Sequence, residues 1–371
     1  MNLPELEKAF QKNFAQRGEL GASVSVWCKG VETVSLAHGW CERERERVWT
    51  ARTLVPFYST TKGLAAATLL TVLEERGMTP EDEVCGVWPG FPVKGATFGQ
   101  LMSHRLGLAA LDMPASIWDH DEVIAAVERQ PPNWPRGTGH GYHPRVLGFI
   151  QDEIVRRLAG KTLGMLWREK IAGPLGLDVW IGLPESEFHR VACLYPGKQD
   201  QSDLENGFYR ELHLPGSLVK RSFFSPRGMH SVREMNYPRA WQAGFPAMGG
   251  VGTATGVAKF YQAACGAIPF FSSELRGWMG AVRTSGHDKV LQTHTAFTCG
   301  FQCDPVDGFG RKERHHYGLS RRAFGHPGAG GSHAFGDPEA GISFAYVMNQ
   351  MELSPLPKEK CLDMVKAIYV M

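Results

Sequence analysis

The stretch from Val55 to Leu70 constrains this chain more than any other. Apolar Val55, Pro56, Phe57 and Tyr58 lead into Ser59-Thr60-Thr61-Lys62, and Leu64, Ala65, Ala66, Ala67, Leu69 and Leu70 follow. A helix over residues 60–77 with this composition is apolar on nearly every face, so it belongs inside the protein rather than on its surface. Ser59 and Lys62 stand three apart on one face of such a turn, where the amine can reach the hydroxyl oxygen. A serine attacks poorly until a base takes its proton. A lysine serves as that base only when desolvation or a neighbouring positive charge lowers its pKa. By itself Ser-x-x-Lys also describes an exposed turn with a solvated lysine; the apolar helix behind it favours the buried, chemical arrangement.

Two further segments bear on the same chemistry. Trp134-Pro-Arg-Gly-Thr-Gly-His-Gly-Tyr-His-Pro is a Pro/Gly-rich loop that sets Tyr142 just ahead of a helical pattern over 145–159. A tyrosine beside a lysine can carry a lowered pKa and relay a proton, although an isolated tyrosine is more commonly a packing residue. Residues 324–349 read as two strands joined by the turn Asp337-Pro-Glu-Ala-Gly341, the first interrupted by glycines. Glycines within a strand suit a place where another backbone or a ligand approaches closely, and a substrate carbonyl needs backbone N–H donors beside it.

These three segments, in this order and spacing, resemble the serine β-lactamase and penicillin-binding-protein superfamily: Ser-x-x-Lys, a tyrosine motif, then a Lys/His-x-Gly strand. The likeness is strongest to its esterase branch, the β-lactamase-like or family VIII carboxylesterases. Leu101-Met-Ser-His-Arg-Leu-Gly-Leu108 and Gly249-Gly-Val-Gly-Thr-Ala-Thr-Gly-Val-Ala-Lys-Phe260 are similar to two further family motifs, and the resemblance runs from about residue 20 to about 350. It implies a serine carboxylesterase in which Ser59 is the acylated nucleophile and Lys62 with Tyr142 moves the proton. It also implies that His326 orients or polarises the acyl group, and that the oxyanion rests on the backbone N–H groups of Ser59 and Ala329, the residue after Gly328. One departure is Pro144, which stands where many relatives carry an asparagine. The missing amide, together with histidine in place of lysine at 326, favours uncharged esters over β-lactams and D-amino-acid peptides. An acyltransferase using the same acyl-enzyme is the nearest competitor, and a non-catalytic scaffold that kept the fold is the alternative of a different class.

The resemblance and the element pattern give one architecture, an α+β fold of the β-lactamase/DD-peptidase type. An antiparallel sheet flanked by helices is expected from residues 1–58 and 285–371, interrupted by a mostly helical lobe over 59–284, with the site at their junction. Strands are expected at 22–29 and 31–38 as a hairpin, and at 293–303, 316–326, 331–337 and 341–349. Helices are expected at 60–77, 97–105, 119–129, 145–159, 162–173, 254–265 and 358–369. Residues 195–245 show no clear period but are rich in aromatic residues, and could wall the acyl or alcohol pocket.

The remaining features exclude more than they assign. A net charge of +2 on 371 residues points to neither nucleic acid nor an acidic partner. No apolar run is long enough for a membrane span, and the amphipathic start lacks a secretory pattern, so a cytoplasmic location is expected. The eight cysteines are scattered and are expected to be reduced and buried. Cys299 and Cys303 would share one face of a strand, but no second pair completes a metal site. His140, His143, His315 and His316 read as polar loop residues, and no metal or cofactor is expected. Gly-x-Gly-x-x-Gly and Gly-x-Ser-x-Gly signatures are both absent.

Overall fold

The computed structural model describes residues 2–198 and 207–369. Its strands are β1 (Gly21–Cys28), β2 (Val31–Gly39), β3 (Val55–Pro56), β4 (Val179–Ile181), β5 (Gly250–Gly252), β6 (Thr284–His287), β7 (His294–Phe297), β8 (Gln302–Cys303), β9 (Phe324–Pro327), β10 (His333–Asp337) and β11 (Ile342–Met348). Eight of them form an antiparallel sheet in the order β2-β1-β11-β10-β9-β8-β7-β6, so chain segments from both ends of the sequence meet where β1 pairs with β11. The β1–β2 hairpin turns through Lys29 and Gly30, both at positive φ (50° and 85°), the two-residue geometry whose twist matches that of the flanking strands.

Helices cover both faces of this sheet, which is why β11 is buried at every position, with Ser343 its one hydroxyl-bearing aliphatic residue, rather than alternating between buried and exposed. Phe344, Tyr346 and Met348 point to one face, where the helices Leu3–Gln16 and Glu359–Tyr369 add Leu6, Phe10, Met364 and Ile368. Ala345 and Val347 point to the other, into the main core. There the small side chains admit the helix Ala254–Ala264 at close range, and Ser343 donates to the Ala258 carbonyl at 2.7 Å. Thr253 caps that helix by accepting from the Gly256 N–H.

The helix Thr61–Glu75 runs through the main core, buried without interruption from Thr61 to Leu70, and packs against the helix Val146–Ala159. β3, which leads into it, pairs with β5 in a second, three-stranded sheet of order β3-β5-β4 that the sequence did not reveal, its strands being only two or three residues long.

Several expectations need correction. Residues 293–303 are two short strands separated by a turn over 298–301, so Cys299 lies in the turn and not on a strand face with Cys303; Gly300 at φ 83° makes the break. Of 316–326 only the last three residues are strand, because Asp304 instead receives the N–H groups of His316 and Tyr317. The helix expected over 162–173 is α only at Leu163–Leu166 and widens to a π-helix over Trp167–Ala172. The segment 195–245 is not irregular throughout: it carries helices at Gly207–His213, Leu218–Phe224 and Pro238–Ala243, while residues 199–206 lie outside the described residues. His140 and His143 are in a loop as expected but are buried, not solvated.

Candidate active site

Ser59 sits in the turn between β3 and the buried helix. Tyr58, immediately before it, is at φ 47°, a backbone region that costs a tyrosine about 1 kcal/mol or more and persists only where its surroundings enforce it. They do so here through Thr61, whose hydroxyl donates to the Tyr58 carbonyl and accepts from the Gly250 N–H, locking the turn to β5. The helix then begins at Thr61 and carries Lys62 back over Ser59.

Lys62 is only 1% exposed and its Nζ has three neighbours: Ser59 Oγ at 3.1 Å, the Pro144 carbonyl at 2.7 Å and the Ala247 carbonyl at 2.8 Å. Burial holds its pKa well below the ordinary lysine value. A neutral amine has two N–H groups and one lone pair; with the N–H groups given to the two carbonyls, the lone pair is left for the Ser59 hydroxyl. Pro144, which lacks the amide of many relatives, therefore contributes its carbonyl to the same lysine. Gly148 makes this approach possible, since a Cβ there would collide with the backbone of Ala247.

Tyr142 is hydrogen-bonded to Ser59, and its ring lies 4.8 Å from Lys62 Nζ. Its pKa is raised, not lowered: desolvation outweighs the bond from Ser59. The lowered pKa that a neighbouring lysine can give is not found here, and Tyr142 is a neutral phenol able to donate and accept. Asp288, which sequence reasoning missed, fixes its backbone. Fully buried, it accepts from the N–H groups of Tyr142 (2.9 Å), Val290 (2.8 Å) and Leu291 (2.8 Å) and from the Thr295 hydroxyl (3.0 Å). A lone aspartate in Gly-His-Asp-Lys carries no signal until the fold sets it beneath the 140–143 loop.

His326 on β9 reaches the same place, its ring 5.8 Å from that of Tyr142. Burial, the largest cause, pushes its pKa down to about 3. Its Nδ1 lies 2.8 Å from the Pro327 carbonyl; since a carbonyl only accepts, Nδ1 carries the proton and Nε2 is a bare lone pair. In this tautomer His326 cannot polarise an acyl carbonyl by donating to it from Nε2, which corrects that part of the expectation.

Where the oxyanion donors are expected, the turn uses the N–H groups of Thr60, Thr61 and Lys62, and the Gly328 N–H goes to the Ser332 carbonyl at 2.6 Å. The N–H groups of Ser59 and Ala329 have no protein acceptor among the described residues. Gly328 is therefore not a donor to substrate. Its role is spatial: a Cβ there would run into the Phe57 carbonyl oxygen and crowd Thr60 Oγ1, so only glycine lets β9 approach the nucleophile's own loop. The close approach read from the sequence is made by protein backbone.

A second missed residue, His104, completes the interior. Its ring packs on Tyr142 (5.1 Å) and Phe297 (4.5 Å), and its Nδ1 accepts the His143 N–H at 3.1 Å. His143 in turn donates to the Gly141 carbonyl (2.7 Å) and accepts from the Leu108 N–H (2.9 Å). The Leu101–Leu108 segment and the tyrosine loop are thereby joined through buried neutral imidazoles. A cavity of about 800 Å³ lined by Trp118, Phe149, Trp167, Trp180 and Phe245 has none of Ser59, Lys62 and Tyr142 in its wall. Among the described residues no cluster of side chains could hold a metal ion.

A serine paired with a desolvated amine and a neutral phenol, at the junction of an antiparallel sheet and a helical layer, defines a β-lactamase-like hydrolase. The chain belongs to the β-lactamase family, which matches residues 6–360. It is 29% identical to the esterase/β-lactamase LipL of Mycobacterium tuberculosis, covering 94% of this chain and 81% of that protein. Among solved structures it is similar to a penicillin-binding protein homolog from Caulobacter crescentus, with 31% identity, a TM-score of 0.86 and coverage of 99% and 96% of the two chains. It is also similar to a family VIII carboxylesterase, with 30% identity, a TM-score of 0.86 and the same coverage.

Proposed function

We propose that this protein is a serine carboxylesterase that works through an acyl-Ser59 intermediate. The observation that carries the reading is the Lys62 environment: its buried Nζ lies 2.7 and 2.8 Å from two carbonyls and 3.1 Å from Ser59 Oγ, so once the amine is neutral and its N–H groups are held by the carbonyls, its lone pair faces the hydroxyl. In the first step the Ser59 proton passes to Lys62, Oγ bonds to the ester carbon, and the alkoxide leaves with that proton, relayed through the Tyr142 hydroxyl. The N–H groups of Ser59 and Ala329 receive the oxyanion. In the second step water gives a proton to the same base, its oxygen bonds to the acyl carbon, and Ser59 Oγ departs and is reprotonated.

Esters are favoured over β-lactams because His326 presents a lone pair, which repels the free carboxylate that a lysine at this place would hold. The esterase relatives point the same way. The aromatic segment supports a pocket wall: Phe208, Tyr209 and Val219 share one apolar cluster with Tyr142, Trp134 and Leu291. We expect Phe208→Ala and Phe223→Ala to shift the preferred acyl chain length, and an unaltered profile across p-nitrophenyl esters would count against that wall.

The test of the function itself compares p-nitrophenyl butyrate with nitrocefin and measures intact mass after fluorophosphonate treatment. Ester turnover well above nitrocefin turnover, with an adduct that Ser59→Ala abolishes, is the expected result. An adduct-free protein sinks the reading.

A further inference from the structure

Among the described residues three side-chain atoms at the site are buried without a hydrogen-bond partner, Thr60 Oγ1, His104 Nε2 and His326 Nε2, and of these only His326 Nε2 is a bare acceptor, since His104 carries its proton at Nε2 and Thr60 has a hydroxyl. His326 Nε2 is left without a partner although unpaired buried polar atoms are costly and generally have a reason. Its character is fixed by geometry, because the Pro327 carbonyl holds the only proton of a neutral ring at Nδ1. An acceptor needs a donor. An ester offers none: its carbonyl and alkyl oxygens only accept, and the oxyanion formed in the transition state would be repelled. Apart from the alcohol as it departs, what brings an O–H to this part of the site is the molecule that resolves the acyl-enzyme.

The number of donors then matters. The attacking oxygen must direct one proton toward the Lys62–Tyr142 pair. Water has a second O–H left for His326; a simple alcohol has none, and leaves the Nε2 lone pair buried beside an alkyl group. We infer that His326 selects water over monohydric alcohols as the acceptor of the acyl group, by accepting the second O–H of the attacking water at Nε2. The balance is unchanged from ordinary hydrolysis: the water oxygen bonds to the acyl carbon, one proton goes to the base and on to Ser59 Oγ as the acyl–oxygen bond breaks, and the proton bonded to His326 stays on the acid product. His326 neither gains nor loses a proton, in keeping with a ring kept neutral by its surroundings. Acceptors with two donors on the attacking atom, primary amines among them, satisfy the same arrangement and should compete with water better than alcohols of equal size.

This inference rests on the acyl-enzyme reading and is tested by a quantity defined only if that reading holds. The ratio of butyric acid to methyl butyrate formed from p-nitrophenyl butyrate in buffered methanol–water compares two fates of one acyl-enzyme, so it depends neither on the rate of acylation nor on the fraction of folded protein. His326→Phe should lower the acid-to-ester ratio about tenfold, the order of one neutral hydrogen bond. His326→Gln, whose side-chain carbonyl is again an acceptor, should recover most of it. A ratio that is unchanged in His326→Phe, or one that falls as far in His326→Gln, overturns the assignment. Failure of the underlying reading looks different: Ser59→Ala would retain turnover, and methyl ester would be missing for every variant.

Discussion

Lys62→Arg separates a proton-transfer role from a merely electrostatic one, because a guanidinium keeps positive charge at this place but cannot give up a proton in the working range. We expect kcat for a p-nitrophenyl ester to fall about 10³-fold in Lys62→Arg and about 10²-fold in Tyr142→Phe, magnitudes typical of lost acid–base catalysis. Near-normal kcat in Lys62→Arg would remove the lysine from the base role. The pH profile carries the same information. Burial depresses Lys62, so kcat/KM should rise with pH along a limb well below the ordinary lysine range and then level off. His326 and His143 should contribute no limb of their own near the usual histidine value, because both are held down to about 3 and stay neutral, so Lys62→Arg should abolish whatever limb is seen.

Between elements the site depends on three backbones meeting: the turn after β3, the end of β9 and the loop ahead of the helix Val146–Ala159. Gly328→Ala places a methyl group against the Phe57 carbonyl and drives the first two apart. We expect a loss of about 1–3 kcal/mol in stability, the usual penalty of overpacking, together with at least a tenfold drop in kcat/KM as the Ala329 N–H moves away from Ser59. A fully active, equally stable variant would show that β9 can move without cost. Asp288→Ala tests the third backbone. It strips acceptors from three buried N–H groups at about 1–3 kcal/mol each, and the measured destabilisation should come with slowed acylation because Tyr142 loses its anchor. Legibility in the sequence differs among these parts. Ser59, Lys62, Tyr142 and the β9 glycines belong to local patterns that can be read in order. Asp288 and His104 act through contacts that span 146 and 39 residues, and no local period marks them.

The whole molecule carries an unusual load of buried neutral imidazole. His143 and His326 are held to about 3 and His333 to about 4, each chiefly by burial, and His104 is lowered by the same cause. All lie below their unfolded value, so below about pH 6.5 the unfolded chain binds protons that the folded one refuses. Stability is complete above that pH and is lost as pH falls toward 3. Each such group contributes a slope of at most about 1.4 kcal/mol per pH unit, so His143, His326 and His333 together should lower stability by about 4 kcal/mol between pH 6 and pH 5, with His104 acting in the same direction. Urea unfolding midpoints across pH 7 to 4.5 check this, and a flat profile would show that the imidazoles accept protons without unfolding. His143 illustrates the physical reason: it already accepts from the Leu108 N–H, and a proton at Nε2 would set two donors face to face. By itself the sequence determined which helix must be buried, which hydroxyl and amine it carries, and the antiparallel sheet built from both ends of the chain, because apolar periodicity and short-range spacing are local properties. Only the tertiary structure decided the protonation of those groups, the tautomer of His326 and the neighbour that requires Gly328, because desolvation and hydrogen-bond partnership depend on what distant segments bring to the same point.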